Sequence, residues 1–371
     1  MPDLSLITLQ MGEPDFRIAL QRSLDWFAKP STHQFFPTGP ISHVHAYTSV
    51  YALKNIVDTS ASVSQIQTRM AQDFDIWESV GWDGDGAVLF TGYFTPIFAA
   101  SLNKTDRFCF PLYTRPPDLV TDLQTGDVLG RRISDGIEPY PTRTQIKAGG
   151  LVEGLELVYL PSRLDAYIIE VNGSAKLQLT DGSVMYVGYA GSNGREYSGI
   201  GQALVRDGKI SRNHLGLSAI RNYFRIHPQA LEKYIRRNQR FVFFQEYDNT
   251  NWPAGSLGFG VLAKRCLATD KSIFPRGSVV FVRTTLPDES GVSRPFNQLM
   301  LDQDTGGAIR AAGRGDIYFG IGSRAEDLAG MQFANGRLYY LLLRPQLVQS
   351  WYDRMAQEQL NGSAVTASTV E

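Results

Sequence analysis

The sequence has few cysteines and no excess of charge of either sign, and both features limit what the protein can be. Only two of its 371 residues are cysteines, Cys109 and Cys266, and their separation does not decide whether they pair. Its 36 Lys and Arg nearly cancel its 37 Asp and Glu, so no broad basic surface would attract nucleic acid or an anionic membrane. We therefore expect no nucleic-acid partner and local recognition of any ligand.

Long apolar stretches and several common catalytic motifs are also missing. No segment reaches the roughly 18 to 20 consecutive apolar residues of a transmembrane helix. The N-terminus lacks the basic start and apolar run of a secretory signal, which fits either a cytoplasmic protein or a sequence that starts after a removed targeting segment. The absence of a glycine-rich phosphate loop and of a Gly-x-Ser-x-Gly elbow argues against nucleotide and serine-hydrolase chemistry.

The histidines do not suggest a metal site. His43 and His45 would share one face if their segment were a strand, but the other three histidines lie in unrelated contexts. Neither cysteine belongs to a pair with the spacing of metal ligands. We therefore expect no metal and no cofactor.

Turn residues are abundant, and short apolar runs separate them. The 35 glycines and 18 prolines favour β structure, and a chain of this length is expected to form two domains, or one domain interrupted by another. Helical spacing predicts helices over residues 16–27 and 63–77, and again between about residues 211 and 240. The tail from residue 355 onward shows no periodicity, and we expect it to fray.

Most of the chain after residue 87 has the pattern of strands. Runs of four to eight apolar residues, including residues 166–171, alternate with Gly, Pro, Asn and Asp. Thr180-Asp181-Gly182 supplies the tip of a hairpin, because such residues tolerate a positive φ. Strands resume after residue 241 and suggest a second barrel or sandwich.

Carboxylates are concentrated in one glycine-rich stretch. Asp304 precedes Thr305-Gly306-Gly307, and Asp316 follows between Gly315 and Ile317. An acid in an apolar strand costs several kcal/mol unless its charge is paired or its proton is retained. Glycines let a ligand approach closely, which favours a functional site. The alternative is that both aspartates hold turns together by accepting hydrogen bonds from amides.

Asp304-Thr305-Gly306 also matches the motif of aspartic proteases, which use two carboxylates that share one proton. No second Asp-Thr-Gly or Asp-Ser-Gly occurs in the chain. That interpretation would therefore require a homodimer.

Several other motifs combine tyrosine with small polar residues. Flat rings pack against the C–H faces of sugars, while amides and hydroxyls bond sugar hydroxyls, so such sets suit a glycan. The alternative is ordinary turn chemistry with tyrosines at a barrel surface. The candidate glycan contacts are Tyr93, Thr95, Asn172, Gly173, Ser174, Tyr189, Gly306 and Gly307.

In their order and spacing, these motifs resemble the membrane-bound lytic murein transglycosylase A family, whose C-terminal part is a domain named for three aspartates. The similarity extends from about Gly92 to Leu343. Its motifs include Gly92-Tyr93-Phe94-Thr95-Pro96, Tyr140-Pro141-Thr142-Arg143, Gly188-Tyr189-Ala190-Gly191, Asp304-Thr305-Gly306-Gly307-Ala308-Ile309 and Gly315-Asp316-Ile317-Tyr318.

The resemblance implies a mainly β fold with some α. A double-psi β-barrel would be assembled from the N- and C-terminal parts, with a second β-barrel inserted and a glycan groove between the two. We assign residues 1–107 to N-terminal helices and the first part of the double-psi barrel and residues 108–244 to the insert. Residues 245–350 would complete the barrel, and residues 351–371 would form the frayed tail.

The resemblance also implies cleavage of the β-1,4 bond between N-acetylmuramic acid and N-acetylglucosamine in peptidoglycan, leaving 1,6-anhydro ends. The family's three aspartates fall on Asp270, Asp304 and Asp316, with Asp316 acting as acid and then as base. A non-catalytic, expansin-like glycan-binding protein is the alternative. The implied partner is the glycan strand, and we expect a monomer in the cell envelope, periplasmic or associated with the outer membrane.

Two features depart from the family pattern. Asn172-Gly173-Ser174-Ala175 stands where the family usually has Gln-Gly-Ser-Gly, and the N-terminus has no cysteine that could carry a lipid. Neither the contacts of that motif nor lipid anchorage is therefore carried over.

Overall fold

The computed structural model describes residues 11–122, 127–211, 216–249 and 251–367. Its strands are β1 Phe74–Glu78, β2 Val88–Thr95, β3 Ile97–Ala100, β4 Phe110–Tyr113, β5 Leu119–Thr121, β6 Val128–Ile133, β7 Gly136–Glu138, β8 Glu156–Leu160, β9 Ser174–Leu179, β10 Val184–Ser192, β11 Val242–Tyr247, β12 Cys266–Ala268, β13 Val279–Pro287, β14 Ser293–Asp304, β15 Arg314–Ile321 and β16 Phe333–Leu343.

Helices lie mainly at the two ends of the chain and between the strands of its middle part. The α-helices are α1 Pro14–Phe27, α2 His43–Thr59, α3 Val63–Asp73, α4 Arg143–Ala148, α5 Arg163–Asn172, α6 Ile200–Arg206, α7 Leu217–Ile226, α8 Leu231–Ile235, α9 Ser323–Met331 and α10 Val348–Ala367. Short 3-10 helices are Pro30–Phe35, Pro228–Ala230 and Pro345–Leu347.

Six strands close into a first barrel. They pair in the order β16, β13, β14, β12, β15 and β2, and β2 pairs back onto β16. β2 comes from the first quarter of the chain, whereas the other five strands lie between residues 266 and 343. β12 runs parallel to β14, and β15 runs parallel to β2. The prediction of a barrel built from N- and C-terminal parts is confirmed.

A second barrel lies between these two parts of the sequence. β11, β10, β9 and β3 form one sheet, and β4 pairs with β8. Two bridges, Ser101 to Tyr159 and Thr114 to Phe244, join these sheets into a ring. β3 precedes residue 108 and yet pairs with β9, and β11 continues to Tyr247. The second barrel therefore begins and ends outside the predicted boundaries of 108 and 244.

The main core fills the first barrel and the space beneath the N-terminal helices. The predicted apolar stripe of α1 is buried, with Phe16 at 0% and Phe27 at 1% exposure. α1 packs on β14 and α2 packs on β16. Residues 279–282 of β13 are buried without alternation, a pattern expected of a strand covered on both faces.

Two segments differ from the predicted helices and strands. Residues 166–171, predicted as a strand, lie in α5, which Ser162 caps by accepting the Asp165 amide and which Gly173 ends with φ of 75°. The predicted helix over 63–77 ends at Asp73, because residues 74–78 pair with β16 as β1. A short apolar run fits either structure, and tertiary pairing decides between them.

The predicted frayed tail contains helix α10, which extends to Ala367; residues 368–371 lie outside the described residues. Trp351 and Met355, one helical turn apart, are 8% and 3% exposed, and the Trp351 ring contacts Tyr51 of α2. This packing gives the helix a buried face that the polar composition of the tail did not indicate.

His43 and His45 lie on α2 rather than on a strand. His43 Nε2 hydrogen-bonds Thr32 Oγ1 at 2.8 Å, and His45 Nε2 lies 2.7 Å from the carbonyl oxygen of Leu343. Both cysteines are free thiols. Among the described helices, none is both long and apolar enough to cross a bilayer.

A buried ion pair links the turn after β12 to β14 of the first barrel, close to Asp304. The ammonium of Lys271 contacts the carboxylate of Asp302, and the exposures of the two side chains are 4% and 0%. Tyr340 Oη and Thr269 Oγ1 each donate to Asp302 at 2.8 Å. A buried carboxylate with these partners is stabilised only while its cation is present.

Replacing Lys271 by methionine is expected to lower the free energy of unfolding by about 3–5 kcal/mol, because Asp302 would be left charged and buried without a cation. The double variant with Asp302→Asn should recover part of this loss. Urea unfolding followed by circular dichroism measures both. A single variant as stable as the original protein would contradict the assigned role of the pair.

Candidate active site

One outer face of the first barrel carries both aspartates of the glycine-rich stretch. Asp316 of β15 pairs with Thr91 of β2 on one side and with Ala268 of β12 on the other. Ala268 also pairs with Asp304 of β14. Since paired residues of neighbouring strands project from the same face, Asp304 and Asp316 lie on that face together. The alternate residue Ile317 is fully buried in the core.

Asp316 is half-buried and has one strong hydrogen bond. Thr91 Oγ1 donates to its Oδ1 at 2.7 Å, and no described residue donates to Oδ2. Burial raises the pKa of Asp316 to about 6, and the negative charge of Asp304 acts in the same direction. The Thr91 hydrogen bond and the Arg314 guanidinium partly oppose this rise. The carboxyl can therefore hold a proton close to neutral pH.

The carboxylate of Asp304 has more hydrogen-bond donors than that of Asp316. Tyr93 Oη donates to Oδ2 at 2.7 Å, and the amides of Ser256 and Thr305 each donate to Oδ1 at 2.8 Å. Burial raises the pKa of Asp304 although these donors favour the anion. Both oxygens have partners, so this carboxylate is fixed in place.

A series of contacts through Tyr93, Tyr318 and Thr95 leads from these aspartates to the second barrel. The rings of Tyr93 and Tyr318 lie 5.0 Å apart. Tyr318 Oη lies 2.9 Å from Thr95 Oγ1, which in turn lies 3.5 Å from Ser174 Oγ of β9. Three predicted glycan contacts, Tyr93, Thr95 and Ser174, are thus brought together at the junction of the barrels.

The remaining predicted contacts of the second barrel lie beside Ser174. A Cβ built on Gly173 would lie 3.9 Å from Cβ of Tyr189, and the Tyr189 side chain is exposed. Asn172 donates its side-chain amide to the carbonyl of Ile168 in its own helix at 2.9 Å. Tyr189 therefore presents its ring to solvent, whereas the amide group of Asn172 is occupied by its own helix.

Asp270 braces the loop of residues 305–313, which joins Asp304 to Asp316. Its carboxylate accepts from the amide of Ala311 at 2.8 Å and from the amide and hydroxyl of Ser272 at 3.1 and 2.8 Å. Burial would raise the pKa of Asp270, but these hydrogen bonds outweigh it and lower the pKa. In the same loop, a Cβ on Gly307 would lie 3.5 Å from Cζ of Arg240, at the edge of the second barrel.

Sequence reasoning missed four residues that surround Asp316: Thr91, Arg314, Tyr318 and Tyr197. The period of two along a strand could have indicated the first three. Thr91 precedes Tyr93 by two residues, and Arg314 and Tyr318 each lie two residues from Asp316, so they project from the same faces as these residues. Tyr197 comes from the second barrel, and burial together with the charge of Asp316 raises its pKa to about 12. Only the packing of the two barrels reveals that residue.

Within the described ranges, no three His, Cys, Asp or Glu side chains are grouped so that they could hold a metal ion. Cys266 is buried beside the site, with Sγ 3.5 Å from Tyr93 Oη. His214, one of the three isolated histidines of the sequence, lies outside the described residues.

Two family models match the chain. The MltA specific insert domain matches residues 89–245, and the 3D domain matches residues 265–342. The first match covers most of β2 and of the second barrel, and the second covers Asp270 and the strands that carry Asp304 and Asp316.

The chain is also similar to proteins of several bacteria. It is 32% identical over 287 residues to the membrane-bound lytic murein transglycosylase A of Escherichia coli (strain K12), covering 75% of this chain and 72% of that protein. The crystal structure of a membrane-bound lytic murein transglycosylase from Agrobacterium tumefaciens superposes with a TM-score of 0.74 at 25% identity, covering 92% and 96% of the two chains. Escherichia coli MltA with bound chitohexaose superposes with a TM-score of 0.68 at 26% identity, covering 89% and 90%.

Replacing Thr91 by valine is expected to raise the pKa of Asp316 above about 6, because the variant loses the hydroxyl that stabilises the carboxylate. Thr91→Ser keeps the hydroxyl and serves as the control with a nearly unchanged pKa. A carbon-13 NMR titration of labelled aspartate carboxyls measures the shift. A pKa in Thr91→Val that stays equal to, or falls below, that of the original protein would contradict the geometry.

Proposed function

The chain belongs to the membrane-bound lytic murein transglycosylase A family, and we propose that it cleaves peptidoglycan glycan strands by lytic transglycosylation. The bond broken would be the β-1,4 bond between N-acetylmuramic acid and N-acetylglucosamine. The observation that carries the proposal is the half-buried carboxyl of Asp316, whose pKa lies at about 6 and whose Oδ2 has no partner among the described residues.

In the first step, protonated Asp316 donates its proton to the glycosidic oxygen as the bond from C1 of muramic acid to that oxygen breaks. The carboxylate then accepts the proton of the C6 hydroxyl of the same sugar, while O6 bonds to C1 and closes the 1,6-anhydro ring. No water is consumed, and Asp316 ends the cycle protonated.

This reaction needs only one proton-transferring carboxyl. Ordinary glycosidases use two, since one must activate water or form a covalent adduct. Here the nucleophile belongs to the substrate and is already close to C1, so proximity replaces the second group. Asp304 suits a supporting role, because both of its oxygens accept hydrogen bonds and its charge favours retention of the proton on Asp316.

The other candidate residues have positioning or binding roles. Asp270 would hold the loop between the two other aspartates through its bonds to Ala311 and Ser272. We propose that the glycan lies along the junction of the barrels. Its candidate contacts are Tyr93, Thr95, Gly173, Ser174, Tyr189, Gly306 and Gly307, with Asn172 at the margin.

A peptidoglycan substrate supports a location in the cell envelope, and we propose a periplasmic or outer-membrane-associated monomer. The similar structure of Escherichia coli MltA holds bound chitohexaose, which is compatible with a glycan substrate for this chain. The expansin-like alternative is less well supported, because binding alone gives no reason to keep an acid half-buried with a raised pKa.

Digestion of purified sacculi is the direct test of the reaction. We expect the released muropeptides to end in 1,6-anhydromuramic acid, which mass spectrometry distinguishes from a reducing end by the loss of one water. Reducing ends would show hydrolysis and reject the lytic mechanism. Binding to sacculi without any released muropeptide would favour the expansin-like alternative.

Replacing Asp316 by asparagine should reduce turnover by about 10²- to 10⁴-fold, because the amide cannot transfer the proton. Above pH 6 the same variant should be more stable than the original protein, by at most about 3 kcal/mol. Its folded state no longer contains an ionised, half-buried carboxylate at position 316. The stability gain should vanish below about pH 4, where the carboxyl is protonated in both the folded and unfolded states.

Turnover assays at pH 5 and thermal unfolding at about pH 3.5 and pH 8 measure these two effects separately. Asp106→Asn, at an exposed loop position, is the control for the substitution itself. An Asp316→Asn protein with full activity would reject the assignment of the acid.

A further inference from the structure

A cleft of about 420 Å³ lies next to Asp316, and the proposed reaction does not use it. It lies at the Leu89 end of β2, opposite the end where Thr95 contacts Ser174 of the second barrel. Arg314, Leu89 and Asn335 pair across three strands, on the same face as the paired residues Asp316, Thr91 and Phe333. The chief lining side chains are Trp82, Leu89, Arg310, Arg314, Phe333 and Asn335.

The aromatic walls of this cleft are exposed and yet held by the fold. Trp82 and Phe333 are 64% and 71% exposed. The Trp82 amide donates to the Ala87 carbonyl at 2.8 Å, and Asp83 Oδ1 accepts from the Ala87 amide at 3.0 Å. A side chain at Gly313 would collide with Trp82, so the loop of residues 79–87, which carries Trp82, lies directly on the start of β15. Two exposed apolar rings carried on an ordered backbone favour a bound ligand.

Two guanidinium groups give the cleft a positive character. Nε of Arg314 is buried without a hydrogen-bond partner in the described part of the chain, and Nη2 donates to Thr91 at 3.4 Å. The side chain of Arg310 is 67% exposed, and its ion pair with Asp270 is long at 3.7 Å. Among the described residues that line the cleft, none has a carboxylate side chain. The cleft therefore complements an anion that also has apolar groups.

A sugar ring fits this lining poorly. Several sugar hydroxyls would need neutral donors and acceptors, and the described lining side chains supply only the Asn335 amide and the indole N–H of Trp82. A short peptide with carboxylates and small apolar side chains matches both the rings and the guanidinium groups. Muramic acid in peptidoglycan carries such a peptide on its lactyl group.

We propose that this cleft binds the acidic peptide stem of the muramic acid residue that is positioned at Asp316. This inference rests on the proposed function, because the stem reaches the cleft only if the glycan lies over Asp316. Phe333 and Trp82 contact the apolar part of the stem, and Arg310 and Arg314 bind its carboxylates. Strands that carry stems are then bound more tightly than strands without them.

The test measures binding without turnover in the Asp316→Asn protein. Calorimetry compares a GlcNAc–MurNAc disaccharide that carries a tetrapeptide stem with the same disaccharide bearing a free lactyl carboxylate. The stem should tighten binding about tenfold, as expected of a charge-assisted contact. Adding Arg310→Gln or Phe333→Ala should remove most of this advantage and leave the affinity for the peptide-free disaccharide unchanged.

Arg236→Gln is the matched control, because its side chain is 63% exposed and also forms a 3.7 Å ion pair, with Glu232, outside the cleft. It should retain the full preference for the stem. If Arg310→Gln and Phe333→Ala weakened the binding of both ligands equally, the proposal would be overturned in favour of a sugar or lactyl-carboxylate site. Unchanged binding of both ligands would overturn it outright.

The two proposals fail in distinguishable ways. With Asp316 intact, Phe333→Ala should release anhydro ends from amidase-treated, stem-free strands at the rate of the original protein. If the original protein releases no anhydro ends but prefers the stem-bearing ligand, the proposed reaction is wrong and the stem site stands. If anhydro ends form and no preference exists, the stem site is wrong and the reaction stands.

Discussion

The register between β2 and β15 is the constraint on which the site depends. Parallel pairing places Asp316 beside Thr91 and Tyr318 beside Tyr93. A slip of one residue would turn Asp316 into the core and bring Ile317, which is fully buried, to the surface. The large apolar cost of that exchange holds the register, and the register in turn holds the carboxyl at the outer face.

Two aspartates in the same sheet lie in different environments because their hydrogen bonds differ. Asp304 accepts three hydrogen bonds from Tyr93, Ser256 and Thr305, so it is fixed as an acceptor. Asp316 accepts a single bond from Thr91, and burial outweighs that bond in its effect on the pKa. The difference lies in the local backbone: the amides of a turn reach Asp304, whereas the amides next to Asp316 are used by strand pairing.

The second barrel completes the surroundings of Asp316. Ser174 contacts Thr95 across the junction, and Tyr197 lies close enough for the charge of Asp316 to raise its pKa. Thr95 and Ser174 are buried at this junction, whereas the cleft beside Trp82 and Phe333 lies on the other side of Asp316. The second barrel therefore bounds the site at the end where we place the sugar contacts, and the cleft opens at the end where we place the peptide stem.

Much of the fold and the positions of the three aspartates could be predicted from the sequence, although the residues that surround Asp316 could not. The strands after residue 241, the hairpin at Thr180-Asp181-Gly182 and the helix over residues 16–27 follow from apolar periodicity and turn chemistry. The ordered motifs located Asp270, Asp304 and Asp316 and implied two barrels, one inserted in the other. Where local signals were ambiguous the prediction was wrong, as at α5, where a short apolar run was taken for a strand, and at α10, where packing against α2 forms a buried face.

Thr91 and Asp316 lie more than two hundred residues apart, and no local pattern reports that their strands are neighbours. The same holds for the closure of the second barrel by Ser101 and Tyr159 and for the cleft between Trp82 and Phe333. Amino-acid chemistry and spacing established which residues can carry charge, form turns or fill a core. Long-range strand pairing established which of them meet, because burial and hydrogen bonding across a sheet depend on residues distant in the chain.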